Sequence, residues 1–209
     1  LAVPQQANKT TASPPGCLLA NKWEDEDPAG WWMSEKLDGV RAWWTGEKFL
    51  SREGNEFFAP EWFKKLLPKN MVLDGELWMG RKSFQKTVAA VRKMIPNDTE
   101  WQDVNYVLFD APNVPGTFEQ RIEALKKLYP SRTNLQDASG LGQCWVLEQI
   151  KCKNKLHMKK FLDQALELGG EGIMLRESGS QYESGRSGTC LKVKKFIDDE
   201  ATVTGYTDG

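Results

Sequence analysis

The sequence is that of an α+β protein with antiparallel sheets flanked by helices. Apolar segments of strand length mix with helix-length patterns, without the regular strand–helix alternation of a doubly wound parallel fold. The chain has 209 residues, 40% hydrophobic and 27% charged, which suffices for one well-buried globular domain. Its apolar runs are all shorter than a membrane span.

Charge and cysteine spacing limit how the protein can bind nucleic acid and metal. The formal net charge is −1, so affinity for nucleic acid must come from local basic patches and not from a cationic whole. The cysteines show no CxxC spacing and no histidine at metal-ligand spacing, which argues against a zinc site. Both free thiols and disulfides are compatible with the four cysteines, which are Cys17, Cys144, Cys152 and Cys190.

The first structured elements follow a polar tail. Residues 1–17 are polar and contain proline, which predicts a flexible tail, with structure beginning near Leu18. An aromatic run then leads to Lys36 and an Asp-Gly pair, which predicts a strand ending in a tight turn with Lys36 at its tip. Residues 40–44 and 49–51 are expected to form a hairpin around Thr-Gly-Glu.

Proline and serine mark the starts of the next two helices. Pro60 fits the first turn of a short helix over residues 60–67. A strand interrupted by Asp-Gly is expected over residues 71–78. A second helix is expected over residues 83–94, and Ser83 is a suitable N-cap for it.

A capping signal defines the helix in the middle of the chain. Thr117 is followed three residues later by Gln120, and this capping box predicts a helix over residues 117–129. A short apolar strand is expected before it, at residues 105–110, and a loop after it, at residues 131–142.

The last part of the chain combines strands with one amphipathic helix. The helix is expected over residues 155–168, because its apolar positions recur at helical spacing and two glycines follow it. Strands are expected at residues 145–150, 172–176, 190–194 and 201–206.

Charged residues collect where the predicted strands begin or end. Lys36 and Asp38 lie at one strand end, Arg52 follows another, Glu76 closes Leu-Asp-Gly-Glu, and Glu171 opens a further strand. An amine that is desolvated and crowded by other cations favours its neutral, nucleophilic form, which makes Lys36 a candidate nucleophile. A solvated lysine before a turn is the ordinary alternative.

Lys192 and Lys194 alternate along one strand, so their side chains point the same way. Two ammonium groups on the core side of a strand are costly unless an anion lies there, and a triphosphate is such an anion. An exposed strand face with two solvated lysines explains the same pattern. On this pair alone, the exposed face is the better interpretation.

Six short motifs occur in a fixed order along the chain. They are EKLDGVR (35–41), SREG (51–54), LDGE (73–76), VLFD (107–110), EGIM (171–174) and LKVK (191–194). The ordered set resembles the motifs of covalent nucleotidyltransferases, which comprise ATP-dependent DNA ligases, RNA ligases and mRNA capping enzymes. The Ser-Arg-x-Gly element is more similar to DNA ligases than to capping enzymes.

Further matches resemble the minimal E-type DNA ligases of bacteria, which lack an extra DNA-binding domain and often carry a secretion signal. These matches are LANKW (19–23), APEWF (59–63), LWMGR (77–81) and PGTFEQR (115–121). The resemblance implies a nucleotidyltransferase (adenylation) domain over residues 18–198. Residues 199–209 then look like the start of an OB-fold domain, which needs about five strands and is essentially absent from this chain.

The resemblance assigns the nucleophile and the nucleotide contacts. It implies that Lys36 attacks the α-phosphate of ATP, releases pyrophosphate and keeps AMP as a phosphoramidate. Arg41 and Arg52 would hold phosphate groups, Arg52 the 5′-phosphate at a nick. Glu76 would accept hydrogen bonds from the ribose hydroxyls, and Phe109 would stack on adenine, although an aromatic residue on a buried strand is also an ordinary core residue.

The resemblance also assigns metal and phosphate ligands. Glu171 and Glu76 would bind Mg²⁺, because carboxylate oxygens suit this ion. Lys192 and Lys194 would contact the α-phosphate and orient the leaving group. A turn carboxylate that follows two glycines is the structural alternative for Glu171.

Three further residues complete the implied nucleotide site. Glu35 and Asp38, which flank the nucleophile, are counted among the nucleotide contacts, and Arg186 would reach the nucleotide or the nick phosphate.

His157 lies among lysines on a polar helix face, where a surface histidine is expected and not a catalytic base. That lysine-rich face is expected to be solvated, with contact to a DNA backbone as the alternative.

The predicted function is that of an ATP-dependent DNA ligase domain. It would form a lysine–AMP intermediate with ATP and Mg²⁺ and transfer AMP to the 5′-phosphate of nicked double-stranded DNA, as a monomer and without a membrane. The alternatives are an RNA ligase or a capping-type guanylyltransferase; a non-catalytic binding module would require a broken motif, and all six are intact. The E-type resemblance implies a periplasmic or secreted location, and otherwise a cytoplasmic one.

Overall fold

We describe the fold from a computed structural model, which covers residues 16–132 and 143–194. The strands are β1 (Leu18–Lys22), β2 (Trp32–Glu35), β3 (Val40–Trp44), β4 (Phe49–Leu50), β5 (Glu56–Phe57), β6 (Leu73–Trp78), β7 (Asn105–Asp110), β8 (Ser131–Arg132), β9 (Cys144–Leu147), β10 (Ile150–Lys151), β11 (Gly172–Arg176) and β12 (Gly185–Lys194). The helices are α1 (Glu61–Lys64), α2 (Phe84–Val91), α3 (Asp98–Trp101), α4 (Phe118–Lys126) and α5 (Lys155–Glu167).

These strands form two sheets. One has five strands in the order β1-β12-β11-β2-β10, and the other has seven in the order β5-β4-β3-β6-β7-β9-β8. Most neighbours are antiparallel, but β1 with β12, β7 with β9, and β8 with β9 run parallel. The α+β class is therefore confirmed, with the correction that the sheets are mixed and not purely antiparallel.

The main apolar core lies between the seven-stranded sheet and helices α1 to α4. Aromatic residues dominate it, and Phe49 packs edge-on against Tyr106 with ring centroids 4.9 Å apart. The Tyr106 hydroxyl is buried but satisfied, because it donates to the carbonyls of Ala42 and Leu73. These two contacts join β3, β6 and β7 through one side chain at the centre of the sheet.

Helix α5 covers the five-stranded sheet. The Asn154 side chain caps it by accepting from the backbone N–H of His157, and the helix is followed by Gly169 at φ 84°. Its buried residues recur at helical spacing and pack against the apolar residues of β2, β11 and β12; they are Met158, Phe161, Leu162 and Ala165.

Most predicted elements are present with shifted ends. Strands β3, β7 and β11 match their predicted bounds, and the Thr117 capping box is formed. The first two helices are shorter than predicted, and the Ser83 side chain makes no capping hydrogen bond. The strand predicted to be interrupted at Asp-Gly is continuous as β6, with a register shift between Asp74 and Gly75.

One predicted strand is wrong. Residues 145–150 do not form a single strand, because β9 belongs to the seven-stranded sheet and β10 to the five-stranded sheet. The chain crosses between the sheets at Glu148 and Gln149. The predicted loop at residues 131–142 is also wrong at its start, where Ser131 and Arg132 form β8.

Several predictions concern residues outside the described ranges. These are most of the tail at residues 1–17, residues 133–142 of the expected loop, and the strand expected at residues 201–206. None of the helices in the described ranges combines the length and the hydropathy of a membrane span. All four cysteines are buried free thiols, which decides between the two alternatives for them.

Candidate active site

A cleft of about 300 Å³ opens between the two sheets, a volume within the range of small-molecule sites. Side chains from both sheets line it: β2, β11 and β12 contribute from one sheet, and β3, β6 and β7 contribute from the other. The sequence-predicted site residues that line it are Glu35, Lys36, Arg41, Arg52, Glu76, Phe109, Arg186 and Lys192.

Lys36 follows β2 and lies beside the start of β11. Its backbone N–H donates to the carbonyl of Gly172 at 2.9 Å, and its Nζ donates to Oε2 of Glu171. The other carboxylate oxygen of Glu171 accepts from Nζ of Lys194 at 2.6 Å. One carboxylate therefore bridges two ammonium groups, and only 23% of the Lys36 side chain is exposed.

Glycine makes this arrangement sterically accessible. Gly172 follows Glu171 with φ 151°, and a Cβ there would lie 2.3 Å from the carbonyl oxygen of Val193 on the neighbouring strand. Gly39 likewise brings the turn after Lys36 close to β6, where a Cβ would lie 2.4 Å from the Leu77 oxygen. Larger residues at these two positions would push Lys36 and Glu171 apart or displace the strands that hold them.

The charge of Glu171 follows from its partners. Burial raises the pKa of its carboxyl group, but hydrogen bonds from Lys194 and Lys36 outweigh this effect, and the pKa lies below its ordinary value. Glu171 is therefore a carboxylate at neutral pH. Both of its oxygens are engaged by ammonium groups, and its role as a metal ligand or as a turn carboxylate stays a prediction.

Glu76 lies on β6 opposite Arg41 and accepts from the backbone N–H of Gly39 at 3.2 Å. Burial raises the pKa of its carboxyl group from 4.5 to about 7, although Arg41 and Lys36 act in the opposite direction. At neutral pH the group is therefore divided between its protonated and ionised forms.

This raised pKa predicts a pH-dependent stability. The contribution of Glu76 is fully present below pH 4.5 and is lost as the pH rises towards 7, because the unfolded chain releases the proton first. Glu76→Gln should therefore flatten this decline and be more stable than the wild type near pH 8, by up to about 3 kcal/mol. Urea unfolding at several pH values measures the slope. Glu167→Gln, at an exposed helix position, should keep the wild-type slope; equal slopes for wild type and Glu76→Gln would contradict the assignment.

Two predicted nucleotide contacts are engaged in ion pairs. Arg41 forms a two-bond pair with buried Asp74, at 3.0 and 2.6 Å, and its guanidinium carbon lies 5.4 Å from the ring centroid of Phe109. Glu35 accepts two bonds from Arg81, at 2.9 and 2.8 Å. The Arg41 guanidinium therefore reaches the cleft with part of its charge neutralised, and the Glu35 carboxylate faces Arg81.

The remaining predicted residues differ in their exposure. Arg52 lies beside Glu53 with 59% of its side chain exposed, and Arg186 on β12 donates to the carbonyl of Ala20 at 2.8 Å. Phe109 lies at the edge of a small core cluster and lines the cleft. Asp38 lies in the turn after Lys36 and does not line the cleft.

Sequence reasoning missed some of the residues that line the cleft. Gln149 lies within what was predicted as a continuous strand, where no local pattern marks it as a site residue. Arg176 ends β11 and also lines the cleft, and a charged residue at a strand end was a signal that could have identified it. Asp110 follows Phe109 and joins Arg121 to Arg176 through two buried ion pairs.

Comparison with known proteins identifies the family. The sequence profile described as the ATP dependent DNA ligase domain matches residues 19–194. The chain belongs to the ATP-dependent DNA ligase family.

Relatives of this ligase domain agree with the assignment. It is 33% identical to a DNA ligase of Haemophilus influenzae over 194 residues, which cover 92% of this chain and 68% of that enzyme. A solved Lig E DNA ligase is 34% identical with a TM-score of 0.74, over 87% of this chain and 69% of that one. The Chlorella virus DNA ligase–adenylate shares the fold, with 24% identity and a TM-score of 0.63 over 88% and 68% of the two chains.

These comparisons confirm the predicted fold, family and activity. The ligase domain is an adenylation domain, and its family works through a covalent enzyme–AMP species. The resemblance to minimal E-type enzymes is confirmed by the Lig E structure.

Proposed function

We propose that Lys36 of this ligase domain takes AMP from ATP and that the domain passes it to the 5′-phosphate of nicked double-stranded DNA. One observation carries this proposal. The Lys36 ammonium is held by a carboxylate that a second lysine also contacts, at a cleft that Glu76 and Phe109 line. Lys36 differs from the exposed paired lysines because it lines this cleft and only 23% of its side chain is exposed.

The first step follows from these contacts. The Lys36 ammonium gives one proton to solvent, and the neutral Nζ then attacks the α-phosphorus, so that an N–P bond forms as the bond to the pyrophosphate oxygen breaks. Pyrophosphate leaves with the electron pair of that bond. A second proton passes from the nitrogen to solvent and leaves the phosphoramidate N–H. Loss of the first proton also ends the ion pair with Glu171, which releases Oε2 of that carboxylate. Lys192 and Lys194 on β12 supply positive charge next to the transferred phosphate and the leaving group.

Glu171 and Glu76 are suited to bind Mg²⁺ together with the phosphates of a substrate. Mg²⁺ is usually held by one or two carboxylates together with substrate phosphates, and Glu171 and Glu76 are two such groups. Among the described residues, no cluster of three or more His, Cys, Asp or Glu side chains could hold a metal without such phosphates. We therefore propose that Mg²⁺ enters with ATP. When bound, it would neutralise phosphate charge.

The nucleotide is placed by the residues opposite Lys36. We propose that adenine stacks on Phe109 and that Glu76 accepts from the ribose hydroxyls, because both side chains line the cleft on the adjacent strands β7 and β6. Arg52 and Arg186 line the same cleft and are suited to the phosphate at a nick. Nicked DNA is favoured over RNA because the matched relatives are DNA ligases.

A transfer experiment tests this function. The protein is incubated with α-labelled ATP and Mg²⁺, separated from free nucleotide, and given a nicked DNA duplex or the same duplex with RNA strands. We expect labelled protein only when Mg²⁺ is present, no competition by GTP, and transfer of the label to nicked DNA. A nick without a 5′-phosphate is the control and should leave the label on the protein. Labelling by GTP, or preferential transfer to RNA, would instead support a capping-type enzyme or an RNA ligase.

A further inference from the structure

Gln149 lies where the chain crosses from β9 to β10, and it lines the active-site cleft. Its Nε2 donates to the carbonyl of Leu147 at 3.2 Å. Its Oε1 is buried and accepts no hydrogen bond in the structure. In the described part of the chain, the other buried side-chain atoms without a hydrogen-bond partner are nitrogens. Oε1 of Gln149 is therefore the one oxygen in this group.

The orientation of the amide is fixed by its contact. If the amide were turned over, its oxygen would face the Leu147 carbonyl oxygen, and two acceptors would be opposed. Nε2 must therefore point to Leu147, and Oε1 must point away from it. A buried acceptor without a partner is unfavourable, and buried polar groups almost always have one. A ligand that brings a donor to Oε1 removes this penalty.

Gln149 lies between two strands that carry parts of the proposed nucleotide site. Parallel pairing of Leu108 with Val146 brings β9 next to the strand that carries Phe109. Antiparallel pairing of Ile150 with Met33 brings β10 next to the strand that leads to Lys36. Gln149 thus lies between the proposed stacking surface for the base and the strand that ends at the nucleophile.

We infer that Oε1 of Gln149 accepts a hydrogen bond from the 6-amino group of adenine and that Gln149 determines the preference for ATP over GTP. The inference rests on the proposed stacking of adenine on Phe109. Guanine carries a carbonyl oxygen at the same ring position, which would oppose one acceptor to another. The amide therefore rejects GTP by the same contact through which it accepts ATP.

Deleting the donor from the nucleotide tests the contact directly. Purine riboside 5′-triphosphate is ATP without the 6-amino group. Calorimetric binding is measured without divalent metal, so that no AMP is transferred and the result does not depend on Lys36. The wild type should bind this analogue roughly 10- to 100-fold more weakly than ATP. Gln149→Leu should bind ATP more weakly by a similar factor, and it should bind ATP and the analogue equally.

The ratio of the two affinities separates recognition from folding. If Gln149→Leu weakens both nucleotides by the same factor, the residue is structural and the inference is overturned. Equal binding of both nucleotides by the wild type overturns it as well. Gln143→Leu is the matched control, because the Gln143 amide donates to the carbonyls of Trp101 and Gln102 outside the cleft; it should keep the wild-type ratio. Failure of the proposed function would appear separately, as absence of label from ATP with Mg²⁺.

Discussion

Replacing Lys36 with alanine is expected to lower the rate at which the covalent enzyme–AMP species forms by roughly 10⁴-fold or more. Alanine has no nucleophile, and the nearby Lys194 is occupied by Glu171 on the opposite side of that carboxylate. Lys36→Arg should fail equally, because a guanidinium stays protonated. Label transferred from α-labelled ATP, together with the intact mass of the protein, measures the effect.

The loss must be separated from unfolding. Removal of Lys36 leaves Glu171 paired with Lys194, so the free energy of unfolding should change by only about 1 kcal/mol. Lys159→Ala is the matched control, because Lys159 forms an exposed pair with Asp163 on α5 and should leave labelling unchanged. Label that persists on Lys36→Ala would assign the nucleophile to another residue.

Eight of the predicted site residues line the cleft, but the motifs do not show which site residues touch each other. Lys36 and Glu171 are separated by 135 positions, and they meet because β11 pairs with β2 so that Ile173 lies opposite Glu35. That register depends on the packing of the whole five-stranded sheet against α5. No local pattern around either residue contains it.

The ion pairs of Arg41 and Glu35 lay beyond sequence reasoning for a related physical reason. A buried charged group pairs with whichever opposite charge the fold brings next to it. Arg81, the partner of Glu35, lies 46 positions away in the sequence. The motif predicted that Arg41 would hold phosphate. The structure adds that its guanidinium is shared with Asp74, whose carboxylate also accepts from the Tyr182 hydroxyl at 2.6 Å.

The split of the predicted strand at residues 145–150 could have been foreseen. Its apolar run is broken by the polar pair Glu148 and Gln149, which is where the chain changes sheets. The sequence of β1 indicates a strand only weakly, because its first residue, Leu18, is the one buried residue of the strand. It becomes a strand because β12 supplies hydrogen-bond partners along its length, which a single segment cannot reveal.

A second large effect is expected on stability, where Asp110→Ala should lower the free energy of unfolding by about 3–5 kcal/mol. Asp110 is buried and accepts from Nε of Arg121 at 2.6 Å and from Nη2 of Arg176 at 2.9 Å. Arg121 is only 1% exposed, so removal of the carboxylate leaves its guanidinium buried without the counter-charge that Asp110 supplies. Because Asp110 follows Phe109 on β7, the substitution should also weaken nucleotide binding.

Urea unfolding at neutral pH measures this loss against an exposed pair. Asp103→Ala removes the partner of Lys86, where both side chains are 61% exposed, and should cost less than about 1 kcal/mol. Asp110→Asn should fall between the two, since an amide oxygen still accepts from Arg121 but carries no charge. Arg121 has two other acceptors, the carbonyls of Gly116 and Ser180 at 2.9 and 3.1 Å. If Asp110→Ala lowered the free energy of unfolding no more than Asp103→Ala, these two carbonyls alone would stabilise the buried guanidinium. The Asp110 carboxylate would then not be needed to hold Arg121 against the strand that carries Phe109.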